Sequence, residues 1–385
     1  MGFPRRHRRP GVRNLALAFP LSSGLSHLVA RAAGGTGVTA VSVHDALDTE
    51  LSDFSRQIVT SFLANPNVGE VLLISSGGTN DPAESIAEQM RAAGVPTECF
   101  PLREARSVDA FLQALRESCQ EAVNRCDAVE RTPVALAELL IGAECGGSDG
   151  YSGLSANPVV GRVVDTLVAA GGSALLCELP EAIGAEHLLA ARAVDATTAA
   201  RVTDAVLAWE TLASRFGADL RGAQPSPGNQ EGGLTTIEEK SLGAIAKGGK
   251  SPVAEYVCYG EAPSRPGLVV MDTPGHDIEQ LTGMAAAGAQ LVLFTTGRGT
   301  PTGSPVAPTL KIATNTAMAR QLSSLIDYDA SPVLDGKPLD TAGEELFELT
   351  LATANGRLTL AEVAGQRDFA LPPLSASSAR IEALP

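Results

Sequence analysis

The sequence predicts an α/β protein of two doubly wound domains, each a mostly parallel sheet with helices on both faces. Three observations carry this. Short apolar runs alternate with stretches of helical period along most of the chain, the pattern of strands joined by crossover helices. A chain of 385 residues is long enough for two cores. In the second half, four apolar runs each end in a loop rich in glycine, threonine or carboxylate, as parallel strands do at their carboxyl ends.

The elements follow in order. "LALAF" from Leu15 and "VTAVSV" from Val38 read as strands, "LSDFSRQIVTSFLA" from Leu51 as an amphipathic helix, and "VGEVLLIS" from Val68 as a buried strand. "DPAESIAEQMRAAG" is a helix opened at Asp81-Pro82 and closed at Gly94. A strand near "PTECF" and the long helix "SVDAFLQALRESCQEAVNRC" complete a first domain, placed at residues 1–131.

A second domain is placed at residues 132–385. It opens with the strand "VALAELLIGA", the loop "ECGGSDGYSG", the helix "NPVVGRVVDTLVAAGG" and the strand "SALLCE", a βαβ unit. The helix "TTAARVTDAVLAWETLASRFG" and a glycine-rich connector follow, in which Thr236 and Glu239 have the spacing of a capping box. "LVVMDTPGHD" and "LVLFTTGRGTPTGSP" are two further strands with polar ends. Beyond about Ser375 the tail is expected to fray.

Composition excludes several classes. With 29 basic against 44 acidic residues the net charge is -15, which argues against nucleic acid as a partner. The basic start "RRHRRPGVRN" contains Pro10 and no apolar stretch of signal length follows it, and no run is long enough to span a membrane, so a cytoplasmic protein is expected. Six cysteines without a CxxC pair form neither a disulfide framework nor a zinc ribbon. No GxGxxG follows the first strand, and no Walker lysine or GxSxG occurs. A nucleotide cofactor and a hydrolase elbow are therefore not expected.

The polar strand ends define one composite candidate site. In "CGGSDGYSGLSANP" the glycines allow close backbone approach to an anion, with Ser148 and Asn157 beside it, although a tight strand-to-helix turn uses the same residues. Cys145, next to Glu144 and near Asp149, suits a borderline metal or a nucleophile; a buried structural thiol is the alternative. His187 follows Glu178, Glu181 and Glu186, which suits a divalent metal, an acid/base pair, or only a solvated helix start. Arg298 and Lys311 are cations in or after the last loop, and a guanidinium can clamp a carboxylate. His276 and His44 end strands and are weaker candidates.

Taken together, five blocks resemble consecutive signatures of the altronate and galactarate dehydratase family. They are "ECGGSDGYSGLSANPVVGRVVDTLVAAGG", "ELPEAIGAEHLLAARA", "PSPGNQEGGLTTIEEKSLGAIAKGG", "MDTPGHD" and "FTTGRGTPTGSPVAPTLKIATN". "GVRN" at residues 11–14 resembles its N-terminal block, and the likeness runs over about residues 10–365.

The resemblance implies a lyase that uses iron(II), or else manganese, to remove a proton beside a carboxylate and expel a group from the next carbon. Carried over residue by residue, it implies Cys145, Asp149, Glu186 and His187 as catalytic, and Cys145, Glu178, Glu181 and His187 as metal ligands. Arg298, Thr295, Thr296, Ser148, Lys311, Asn315 and Asn157 are implied to bind an anionic substrate. Sugar-acid members begin with a small SAF domain that the matched blocks do not include. A separate small SAF-domain subunit is therefore expected, as in sulfolactate sulfo-lyase, within a homo- or hetero-oligomer. "SGGTND" after the strand at Val68 replaces a cysteine and a glutamate of the sugar-acid enzymes, and "HRRPGVRN" lacks an acidic residue. Both changes bear on substrate choice: water from a sugar acid, sulfite from sulfolactate, or binding without catalysis.

Overall fold

A computed structural model describes residues 1–45, 47 and 51–372. The expected fraying beyond Ser375 lies outside the described residues. The first sheet holds β1 (Leu15–Pro20), β2 (Thr39–Ala40), β4 (Val68–Ser75) and β5 (Thr97–Pro101), all parallel, in the order β2-β1-β4-β5; β3 (Ser42–Val43) belongs elsewhere. The strands are apolar on both sides because both sides are covered. On β1 and β4, Leu17, Phe19, Val71 and Leu73 face α2 (Asp53–Leu63) and α3 (Ala83–Ala92). Ala16, Ala18, Leu72 and Ile74 face α1 (Ser26–Ala33) and α4 (Val108–Asp127). Ser52 and Ser107 cap α2 and α4, accepting from the backbone N–H three residues on.

The second sheet has seven parallel strands: β6 (Leu140–Cys145), β7 (Ser173–Leu176), β8 (Val253–Val257), β9 (Gly267–Met271), β10 (Leu291–Thr296), β11 (Thr309–Ala313) and β12 (Tyr328–Asp329). Their order is β12-β11-β10-β6-β7-β9-β8. Between them lie α5 (Ala156–Ala169), α6 (Glu186–Ala190), α7 (Ala196–Arg215), α8 (Leu220–Ala223), α9 (Pro227–Glu231), α10 (Ile237–Ile245), α11 (Asp277–Ala286) and α12 (Thr316–Gln321); α13 (Leu339–Ala354) and α14 (Leu360–Val363) follow. One face of the sheet packs on α5, α7 and α13, the other on α11. The chain places β7 and β9 on one side of β6 and β10 and β11 on the other, so the strand order reverses between β6 and β10. In an open parallel sheet that reversal opens a crevice at the carboxyl ends.

Three expectations are adjusted. "VTAVSV" is two short strands, β2 on β1 and β3 on β13 (Asp368–Phe369), because the chain leaves the first sheet at Val41 to pair with the C-terminal segment. "VALAELLIGA" is strand only from Leu140; residues 136–138 form a 3-10 turn, since partner strands flank the run only from Leu140 and Ile141 onward. At Thr236 half a capping box forms: its hydroxyl accepts from Glu239 N–H, but the Glu239 carboxylate turns to Thr235.

The halves share apolar packing. Tyr259, Ala285, Ala286, Val306 and Phe369 pack with Phe19 and Phe62 in a single cluster, so α2 and α11 lie between the two sheets.

Candidate active site

Period two along β6 decides which side chains reach which face. Ile141 and Ala143 face α5, so Cys145 does too. Leu140 and Gly142 face α11, so Glu144 does too. Cys145 therefore ends its strand against the 3-10 turn 246–248 that packs on α5, and from that turn Lys247 points at it. Lys247 Nζ donates to Cys145 Sγ at 2.8 Å and to Glu178 Oε2. Glu178 Oε2 also accepts from Cys145 N–H at 3.1 Å and Sγ at 3.3 Å, and Glu181 Oε2 lies 3.4 Å from the same sulfur.

Glu178 reaches this position through an unusual backbone. Its φ of 71° is the one left-handed value at a non-glycine among the described residues, and it turns the chain sharply after β7. Thr273, after β9, accepts from its N–H at 2.7 Å. Gln280 of α11 donates to Glu178 Oε1 at 3.3 Å, and Lys240 of α10 pairs with Glu181 Oε1 at 2.9 Å. Each carboxylate is thus held through one oxygen while the other faces the sulfur.

Burial governs the electrostatics. It lifts Glu178 to about 7, against the pull of Lys247. It pushes the Cys145 thiol well up, and Glu178 adds to that. Burial opposes charge on Lys247, but Cys145, Glu178 and Glu181 outweigh it and keep the ammonium. On the other face Glu144 is fully enclosed, with no hydrogen-bond partner at either carboxylate oxygen among the described residues; burial and then Asp277 raise it. Side-chain exposures of 12% at Glu181 and 9% at Lys240 mark the solvent side of the cluster.

Of the residues singled out from the sequence, Cys145, Glu178 and Glu181 come together, and their donor atoms lie within 4.8 Å of one another. His187 does not join them: it is exposed on α6, and Glu186 accepts from Gly184 N–H at 2.6 Å. Asp149 is enclosed in hydrogen bonds from Tyr151 N–H, Ser152, Thr314 and Asn315, so it knits the loop after β6 to the end of β11. Asn315 also caps α12, and Asn157 accepts from Thr295 at 2.6 Å. Thr296 accepts from Gly299 N–H, and the Ser148 carbonyl accepts from Asn229. Lys311 is buried over the Phe294 ring, donating to the carbonyls of Thr300 and Thr302; it holds the loop after β10 in place. Arg298 is half exposed, packed beside Gly147 and Gly228 and paired with Glu231 at 3.2 Å. His276 pairs with Glu279, and His44 with Asp368.

Lys247, Lys240 and Gln280 were not among the residues singled out from the sequence, and Glu144 figured there only as the neighbour of Cys145. A lysine in the apolar run "LGAIAKGG" was the available signal for the first. A cleft of ≈ 250 Å³ lies away from the cluster, at the opening of β6, and its lining of Met1, Gly11, Val12 and Leu351 carries no acid/base side chain, so the chemistry is assigned to the strand ends.

Two family models match this chain. D-galactarate/altronate dehydratase, C-terminal, covers residues 136–376, and D-galactarate dehydratase/altronate hydrolase, second domain, covers residues 2–126. Altronate dehydratase of Escherichia coli is 36% identical over 82% of this chain and 63% of its own length. That of Bacillus subtilis is 38% identical over 72% and 55%. The chain thus spans somewhat over half the length of these two relatives. The (2R)-sulfolactate sulfo-lyase subunit beta of Chromohalobacter salexigens is 35% identical over 98% of both chains.

Proposed function

The chain belongs to the D-galactarate/altronate dehydratase family, and from that premise we propose that it is the large catalytic subunit of a metal-dependent lyase. It takes the proton alpha to the carboxylate of a hydroxy acid and expels a group from the next carbon. The observation that carries this reading is the largely buried set Cys145, Glu178, Glu181 and Lys247, where the ends of β6 and β7 meet the turn at 246–248.

The donors suit a divalent cation such as iron(II) or manganese: one sulfur and two carboxylate oxygens face one another, each carboxylate fixed from behind. Bound there, a metal supplies the positive charge that the doubled charge of the deprotonated substrate requires. Around that charge the chain's own residues bind, orient and offset. Lys247, held as an ammonium by the groups it touches, offsets negative charge that builds up beside Cys145 and Glu178. Arg298, on the solvent side of the loop after β10, orients the substrate carboxylate through two hydrogen bonds. Asp149, Asn157, Thr295 and Asn315 keep the loops rigid, so the acid meets a preformed site. His187 and Glu186 have no part in this arrangement.

We place the domain boundary near residue 131, the protein in the cytoplasm, and a small SAF-domain subunit over the strand ends within a hetero-oligomer. The likeness to a subunit beta over its whole length supports a partner, and it equally favours a second reading in which sulfite leaves instead of water. A non-catalytic relative would have no need of a buried thiol, two carboxylates and an ammonium in contact.

The test measures 2-keto acid and sulfite release from altronate, galactarate and sulfolactate with iron(II) or manganese, with and without a co-expressed small subunit. Turnover that needs metal and falls by about 100-fold or more in Cys145→Ala and Lys247→Met is expected. Full activity after chelation would refute the metal, and an unaffected Lys247→Met would remove its role in offsetting charge.

A further inference from the structure

The donor atoms gathered around Cys145 come from Cys145, Glu178 and Glu181, and none from "MDTPGHD", residues 271–277. That segment still meets the cluster, at the backbone of Glu178. The ladder between β7 and β9 ends at the pair Leu176 and Val270. Two residues beyond Leu176, the Glu178 N–H takes a side-chain acceptor instead, the Thr273 hydroxyl, at 2.7 Å. Both residues are buried, so an amide without that acceptor would be left unpaired in the interior.

The amide belongs to a residue with φ 71° and ψ 54°, a conformation that a side chain disfavours and glycine takes freely. Glycine, however, brings no carboxylate. Such strain persists only where the surroundings over-determine it. Here Cys145 N–H, Lys247 and Gln280 hold the carboxylate of Glu178, while Thr273 alone among the described residues holds its amide. A second carboxylate hangs on the same residue. The Glu178 carbonyl accepts from Glu181 N–H at 2.9 Å and opens the 3-10 turn at 179–182, so the backbone of Glu178 sets where both acids face. Thr273 is itself restrained, because Pro274 confines the residue before it to extended conformations.

We propose that Thr273 is a positioning residue of this site: its hydroxyl holds Glu178 in the left-handed conformation and through that one amide aims Glu178 and Glu181 at the Cys145 sulfur. The step from position to metal affinity rests on the lyase reading; the hold on Glu178 does not. Three substitutions separate the acceptor from the shape of the side chain. Thr273→Val keeps the branched shape and loses the acceptor, Thr273→Ala loses it without adding apolar bulk, and Thr273→Ser keeps it.

The test has two arms on the full chain. Manganese(II) is titrated calorimetrically into each variant, with Cys145→Ala marking binding at the cluster, and hydrogen exchange of the peptide at 176–182 is followed by mass spectrometry without metal. Thr273→Val and Thr273→Ala should bind manganese about tenfold or more weakly and speed exchange in that peptide by about tenfold or more. Thr273→Ser should stay within about threefold of wild type in both arms. The proposal is overturned if Thr273→Val and Thr273→Ala keep the wild-type manganese affinity within about twofold, if exchange is unchanged in both, or if Thr273→Ser loses as much as they do. A wild-type chain that binds no manganese would sink the metal reading instead, and the exchange arm alone would then decide for or against Thr273.

Discussion

Lys247, itself fully buried, touches Cys145 and Glu178 and keeps them beside Glu181, which is only partly enclosed. Removing one partner of a buried ion pair leaves the other uncompensated, at about 3–5 kcal/mol. Lys247→Met should lose that much stability in urea unfolding, and adding Glu178→Gln should return at least half of it; losses that simply add would show the pair uncoupled. Asp272 makes a second prediction. Burial raises it to about 6, against hydrogen bonds from Trp209 and Tyr256. A carboxyl raised on folding binds its proton more tightly in the native state. Its contribution is therefore complete below its ordinary value of 3.8 and is lost as pH rises through about 6. Asp272→Asn keeps the acceptor for Trp209 Nε1, so its stability relative to wild type should improve from pH 4 to pH 7 by up to about 3 kcal/mol. A difference that stays flat across that range would contradict the shift.

At the scale of elements, α5 and the turn at 246–248 must touch for Lys247 to reach β6. Gly161 permits this: a Cβ there would lie 2.3 Å from the Ala246 carbonyl and 3.0 Å from Gly249. Gly161→Ala should cost about 1–3 kcal/mol in unfolding experiments and also weaken metal binding, because the turn it displaces carries Lys247. Loss of stability with unchanged metal affinity would uncouple the helix from the site. Much of the site was legible at this scale. Glycine, threonine and carboxylate after an apolar run marked the strand ends, and period two along β6 already separates Cys145 from Glu144. His187 shows the limit. A histidine three residues past a turn looks the same in sequence whether its helix presents it inward or, as on α6, to solvent.

For the whole molecule, the C-terminal segment ties the two sheets together. β13 pairs with β3, and the Phe369 ring meets Phe19 and Phe62 edge-on at 5.1 and 4.8 Å. Phe369→Ala should cost about 3–5 kcal/mol. Because residues from both halves share that cluster, calorimetry of the wild-type chain should show one transition; two resolved transitions would mean that the halves unfold independently.

The sequence by itself determined the α/β class, the strands and the polar ends that could carry chemistry, because burial on two faces and turn chemistry leave local periods and local residues to read. Only the tertiary structure decided which of those ends meet. Sheet order puts β10 and β7 on either side of β6, and it brings Lys247 to Cys145 and Gln280 to Glu178 across 102 residues in each case. Contacts over such separations depend on which way each crossover turns, and that leaves no local pattern in the chain.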